Sequence, residues 1–189
     1  MTSEQLLRAK IDQVIASSKH ILIVFLRAIP VSAIIALIVW FVLSRLENRY
    51  SIITRKKKAA VGLSFYFMLI LQMGVFFRPF GSVREIKWIP FNTPGGDNLI
   101  FLLATANAVI FIPLGILVPM VFGRINSWWK MMIVALVVSF GIETIQYVLE
   151  CGHSELEDVI MNTIGGIIGY FIIKTIRKRN DRNKQQMEN

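Results

Sequence analysis

The chain has 189 residues, the size of a single domain, with 54% hydrophobic and only 17% charged residues, and its mean hydropathy is +0.58. Soluble domains carry about 25% charged residues, and charge-poor runs near the ~20 residues that one bilayer crossing needs recur along this chain, so a soluble globular fold is excluded. The net charge of +9 does not indicate nucleic acid, because the basic residues lie between and after apolar runs instead of forming a patch on a polar surface.

The single cysteine, Cys151, excludes an internal disulfide and lacks the spacing of a zinc site. Residues 4–20 place Leu6, Leu7, Ile11, Val14 and Ile15 at helical spacing among Arg8, Lys10, Asp12 and Lys19, which predicts an amphipathic helix on the membrane surface. No small-residue cleavage site follows the first apolar run, so a removable signal peptide is not expected. Five crossings are predicted at 21–44, 59–77, 99–122, 131–149 and 159–173. The expected organisation is an interfacial helix over 1–20, a transmembrane domain over 21–173 and a basic tail over 174–189. The predicted fold class is all-α, a polytopic transmembrane helical bundle.

Basic residues orient this bundle. The 45–58 loop holds Arg45, Arg49, Arg55, Lys56, Lys57 and Lys58, whereas the 150–158 loop has none and carries Glu150, Glu155, Glu157 and Asp158. By the positive-inside rule the first loop and the C-terminus are cytoplasmic, and alternation then puts the N-terminus outside. External Arg8, Lys10 and Lys19 fit that assignment poorly, which keeps open a four-crossing core with a re-entrant first segment. Trp40, Trp128 and Trp129 fall near predicted inner ends and Trp88 in an outer loop, matching aromatic belts. The outer loop also holds the turn residues Pro90, Pro94, Gly95 and Gly96, with Ile89 and Phe91 dipping into the interface.

Two ionisable residues, Arg27 and Glu143, fall well inside predicted crossings, where a charge costs about 2.5–3.5 kcal/mol on insertion scales. At 1.5 Å rise per residue both lie roughly 9 Å below the outer ends of their helices, with Asn107 near the same depth. Ser139, Glu143, Gln146 and Glu150 share one helical stripe, and Asp158 and Asn162 lie one turn apart on the next helix. The expected site is an outward-opening polar pocket built from Arg27, Asn107, Glu143, Gln146, Asp158 and Asn162. Two structural alternatives stand beside it: Arg27 and Glu143 as an ion pair between helices, and Asp158 as a helix cap with Asn162 as a packing hydrogen bond. Gly165, Gly166 and Gly169 include a small-xxx-small spacing that allows close helix approach, and Pro113 and Pro119 are expected to kink the third crossing.

Four stretches together resemble the VanZ-like family of bacterial membrane proteins. They are Ile89-Pro90-Phe91, the run NAVIFIPLG from Asn107 to Gly115, Glu143-x-x-Gln146, and Asp158-x-x-x-Asn162-Thr163-x-Gly165-Gly166. They follow the family's order over residues 86–172. Where that pattern has aspartates around an isoleucine, this chain has Glu155, Leu156, Glu157 and Asp158, so only Asp158 matches like for like. The resemblance implies a bacterial cell-membrane location and low-level resistance to glycopeptide antibiotics, teicoplanin more than vancomycin.

Two mechanisms fit that implication. A non-catalytic protein would bind, or change the accessibility of, a lipid-linked cell-wall precursor or a lipid-tailed antibiotic; an intramembrane enzyme would use Glu143 as general acid or base, with Asn107 and Gln146 orienting the substrate. No serine–histidine–aspartate set, HExxH or phosphate-binding glycine loop is present. No cofactor or metal is assigned. Expected partners are membrane lipids, with no nucleic acid, and assembly into a homo-oligomer is left open. A proton-coupled transporter is disfavoured by five crossings without a repeat.

Overall fold

The computed structural model describes residues 3–47, 56–78, 81, 83–87, 89 and 97–188. In chain order these form α1 (Ser3–Glu47), α2 (Lys57–Leu71) with a terminal π-helical turn (Gln72–Phe76), β1 (Val83–Lys87), α3 (Asp97–Val121), α4 (Trp128–Val148), β2 (Cys151–Glu155) and α5 (Leu156–Glu188). The expected all-α bundle is present. Four helical segments, Leu22–Leu46, Lys57–Phe76, Trp128–Val148 and Leu156–Met187, are long and apolar enough to cross a membrane, and α3 adds an apolar stretch over Thr105–Val121. The surfaces of these helices are apolar where they are exposed: Leu37, Val137 and Phe140 each show more than 60% of their area. Such a surface is stable only against lipid tails.

The predicted surface helix and the first crossing are one uninterrupted helix of 45 residues, about 68 Å long at 1.5 Å per residue. Likewise, the basic tail continues the last crossing within α5, a helix of 33 residues. α3 runs through both Pro113 and Pro119 without a break. Tyr66 on α2 donates a 2.5 Å hydrogen bond to the Ile110 carbonyl, one turn before Pro113.

The core is centred on α3, whose Phe111, Leu114 and Val118 are buried against Met131 and Ala135 of α4 and Tyr170 of α5. The closest approach is between α3 and α5, where a methyl group added at Gly165 would overlap the Ala108 carbonyl oxygen, and one at Gly169 would overlap that of Ile112. Gly115 meets the Gly166 carbonyl in the same way from the α3 side. The glycines anticipated as packing devices are therefore the seam of the bundle, where backbones touch without intervening side chains. α1 packs on α2 through Ala28, Ser32 and Ala36, all buried. Gln72 of the π turn fixes it there, its amide donating to the Ala28 carbonyl at 3.1 Å and the Ser32 hydroxyl at 2.9 Å.

One end of the bundle is basic and aromatic. Lys57 lies over the Trp40 ring, Lys130 over Trp129 and Lys174 over Tyr170, cation–π pairs of the sort favoured at a membrane interface. Arg177 donates to the Pro119 carbonyl and the Tyr170 hydroxyl to that of Asn126, tying α5 to the α3–α4 turn. Arg49, Arg55, Trp88, Pro90, Phe91, Pro94, Gly95 and Gly96, all used in the sequence reading, lie outside the described residues.

The opposite end differs from expectation. Segments read as loops supply two strands that pair in parallel, Val83 opposite Cys151 and Lys87 opposite Glu155. Neither VREIK nor CGHSE alternates as a half-buried strand should. Pairing across two intervening helices leaves no local signature; the crossover through α3 and α4 is what makes a parallel ribbon possible. Both strands of the ribbon pack against α4.

Candidate functional site

α4 turns Ser139, Glu143 and Gln146 inward, and all three are buried, as their shared stripe requires. The Glu143 carboxylate accepts a 3.0 Å hydrogen bond from the Glu155 backbone N–H, and its own carbonyl accepts one of 2.9 Å from the Ser154 hydroxyl. Strand β2 thus straps the Glu143 turn of the helix. Gln146 donates through Nε2 to the Gly74 carbonyl at 2.8 Å. Gly74 sits in the π turn, where the i→i+5 pattern, seen in the 3.0 Å bond from Phe77 N–H to the Gln72 carbonyl, redirects the backbone toward neighbours.

α5 brings the other half. Asn162 donates to the Ser139 hydroxyl at 2.9 Å. Asp158, expected in the pocket with a helix cap as the alternative, lies within the first turn of α5 and accepts a 2.5 Å bond from the Asn107 amide of α3. Three helices are therefore joined by polar side chains at one level: α3 to α5 through Asn107–Asp158, and α4 to α5 through Ser139–Asn162. Such bonds are individually worth about 0.6 kcal/mol in membrane proteins, but here they border a cavity of about 390 Å³. Its walls include Asn107, Glu143, Gln146, Asp158 and Asn162, five of the six residues expected there.

The sixth, Arg27, is exposed on α1 and does not line the cavity. Helix geometry explains this, because the packed face of α1 is the i, i+4, i+8 stripe of Ala28, Ser32 and Ala36, and residue 27 lies about 100° away around the helix. The cavity's cation is Arg78 instead, placed just past the π turn and close enough to act electrostatically on both Glu143 and Asp158. Sequence reasoning passed over Arg78 because an arginine ending an apolar run reads as an interfacial anchor.

Glu155 and Glu157 entered the sequence reading only as loop acids and as a departure from the family's aspartates. Both line the cavity, Glu157 is buried, and Lys87 of β1 holds Glu155 with Nζ 2.6 Å from its carboxylate. That ion pair closes the far end of the ribbon. Beside the cavity runs a second, almost wholly apolar groove of about 280 Å³ lined by Ile86, Phe140, Tyr147, Leu156 and Val159. Glu143 and Glu155 border both spaces.

The turn from α4 into β2 is built for Arg78. Glu150 takes a left-handed φ of 53° and Gly152 a φ of 150°, the latter a conformation that side chains rarely allow. A methyl group at Gly152 would also lie against the Arg78 guanidinium. Gly152→Ala is accordingly expected to displace Arg78 and to strain the turn, read as a lower Tm of the purified protein than that of wild type. An unchanged Tm in Gly152→Ala would show that the turn does not constrain the arginine.

These features define a polytopic membrane protein with a cavity at one end, bordered by carboxylates and, among the described residues, a single arginine. The sequence profile of the VanZ/LLP1 family matches residues 31–177, most of the chain, and the chain belongs to that family. It is 33% identical over 101 residues to "Protein VanZ" of Enterococcus faecium, an alignment covering 53% of this chain and 60% of that protein. No solved structure matches.

Proposed function

We propose that this protein acts in the cell membrane to lower sensitivity to glycopeptide antibiotics, teicoplanin more than vancomycin, by engaging a lipid-linked envelope component or a lipid-tailed antibiotic at the cavity. The carrying observation is that a polar cavity and an apolar groove share Glu143 and Glu155 as their common border. An amphiphile needs such a pair of spaces, with apolar walls for its tail and a few fixed polar groups to orient its head. The basic and aromatic end of the bundle supports a cytoplasmic C-terminus, with the cavity opening toward the outer leaflet. There it meets cell-wall precursors and membrane-anchored drugs without crossing the bilayer.

A second reading is favoured by the same border. A carboxylate that faces both the head and the root of the tail is placed for acid–base chemistry on the bond between them, with Glu143 as general acid or base and Asn107 and Gln146 as orienting groups.

The test is expression of the full chain in a glycopeptide-sensitive Gram-positive host, compared with empty vector, against teicoplanin and vancomycin. The expected outcome is a rise in the inhibitory concentration of teicoplanin that exceeds any rise for vancomycin. Unchanged sensitivity to both drugs, with the protein present in the membrane, would overturn the resistance reading.

A further inference from the structure

Another groove lies at the basic end of the bundle, away from the cavity. It holds about 900 Å³ between α2, α3 and α4, within the roughly 300–1,000 Å³ of ligand pockets. Leu63 and Phe67 of α2, Leu114 and Val118 of α3, and Val134 and Val138 of α4 form its walls. Along α2 it runs from Lys56, at the N-terminus, to Phe67. At 1.5 Å per residue that is about 16 Å, close to the ~15 Å of hydrocarbon in one leaflet of a 30 Å core. The slot is therefore as deep as a lipid tail is long.

The mouth of the groove is charged. Lys56 and Arg124 stand there, both exposed, and no acidic residue lines the groove. Neither cation pairs with an acid among the described residues. The Lys56 Nζ is 3.4 Å from where a side chain at Gly123 would begin, so the ammonium is held over the turn that carries Arg124, where the carbonyl end of α3 favours a cation. Lys130 fixes that turn from its other side, donating to the Arg124 carbonyl at 3.1 Å and to the Asn126 Oδ1 at 2.9 Å. The start of α2 opens at the same mouth: Lys56 makes no side-chain cap bond, the first turn holds no acid, and Ala60 of that turn lines the groove. Its free N–H groups and the positive end of its dipole add to the attraction for an anion.

We infer that this groove binds one glycerophospholipid with a net anionic head group, its phosphate between Lys56 and Arg124 and an acyl chain along Leu63, Phe67, Val118 and Val138. Arginine offers a phosphate paired N–H donors and lysine a point charge, so the two cations hold one phosphate from two sides. A zwitterionic lipid would bring its own cation to a cationic mouth, and a free phosphate would leave the apolar slot unfilled. Basic pockets between helices are the sites where anionic head groups gain most over neutral ones. The bound lipid joins α2 to the α3–α4 turn, and it does so independently of the resistance reading, which concerns the cavity at the other end.

The experiment is native mass spectrometry of the full chain, delipidated in detergent and titrated with phosphatidylglycerol or with phosphatidylcholine of identical acyl chains, with Tm followed in parallel. One phosphatidylglycerol per chain is expected to bind roughly tenfold more tightly than phosphatidylcholine and to raise Tm as it does so. The double variant Lys56→Gln, Arg124→Gln should lose that preference, whereas Lys178→Gln, Arg182→Gln, on the exposed tail of α5, should keep it. Ala60→Phe retains both charges and fills the mouth, so it should weaken both lipids. Equal affinity of wild type for the two lipids, displacement of the lipid by equimolar inorganic phosphate, or undiminished binding by the folded double variant or by Ala60→Phe would overturn the site. A wild-type protein that takes up no lipid and appears as a dimer would also overturn it and assign the groove to a second copy of the chain. The wild-type comparison alone decides the case should a variant fail to fold.

Discussion

Gly165→Val is expected to leave little folded protein in the membrane. The Gly165 position already meets the Ala108 carbonyl so closely that a single added carbon would overlap it, and Gly115 and Gly169 repeat the contact along the same seam. No rotamer change relieves a clash with backbone, so α3 and α5 must separate along their length. Overpacking a close-packed interior costs about 3 kcal/mol, a large share of the stability of a small domain. Separation would also pull Asn107 from Asp158, which bond across this seam, and so open one wall of the cavity. The check is thermal unfolding of detergent-purified protein together with membrane abundance. Gly141→Ala provides the control, because nothing lies within 4 Å of the position where its side chain would grow; there, alanine should be neutral or stabilise α4 by about 0.5–1 kcal/mol. Equal Tm values for Gly165→Val and wild type would mean that the two helices do not touch as described.

Glu143→Gln should lower protection while sparing the fold. The amide keeps the size of the side chain and retains an oxygen to accept the Glu155 N–H, so the strap from β2 to α4 survives. What disappears is the ionisable carboxylate between the cavity and the apolar groove. A surviving hydrogen bond keeps the expected stability change within about 1 kcal/mol, whereas Glu143→Leu leaves a half-buried N–H without its acceptor. Teicoplanin susceptibility is measured in hosts carrying wild type or the glutamine variant at matched abundance. Complete loss agrees with acid–base catalysis by the carboxylate, and partial loss with binding, where the amide still offers hydrogen bonds. Full protection by the variant would remove Glu143 from the centre of either mechanism.

Much of this was legible in the sequence. Hydropathy set the bundle, because backbone groups in lipid must be satisfied within each segment, and helix is the local solution. The spacing of Ser139, Glu143 and Gln146 put them on one buried face, and Asp158 and Asn162 on another, since helical periodicity is itself local. Depth counting from helix ends brought Asn107 to the same level, and the structure joins it to Asp158.

Depth alone does not decide direction around a helix axis. Arg27 has a suitable depth, but α1 presents its small residues to α2 and leaves the arginine exposed, whereas Arg78, outside the apolar runs, is carried back over the cavity past the π turn. The β1–β2 ribbon was hidden for a related reason: its partners are far apart in the chain, and neither strand has a pattern strong enough to announce itself. Composition and periodicity therefore determined the membrane bundle and the inward faces of α4 and α5, where the forces act between near neighbours. Only the tertiary structure decided which cation faces the carboxylates and how Glu155 and Glu157 turn inward, because those depend on contacts between distant segments.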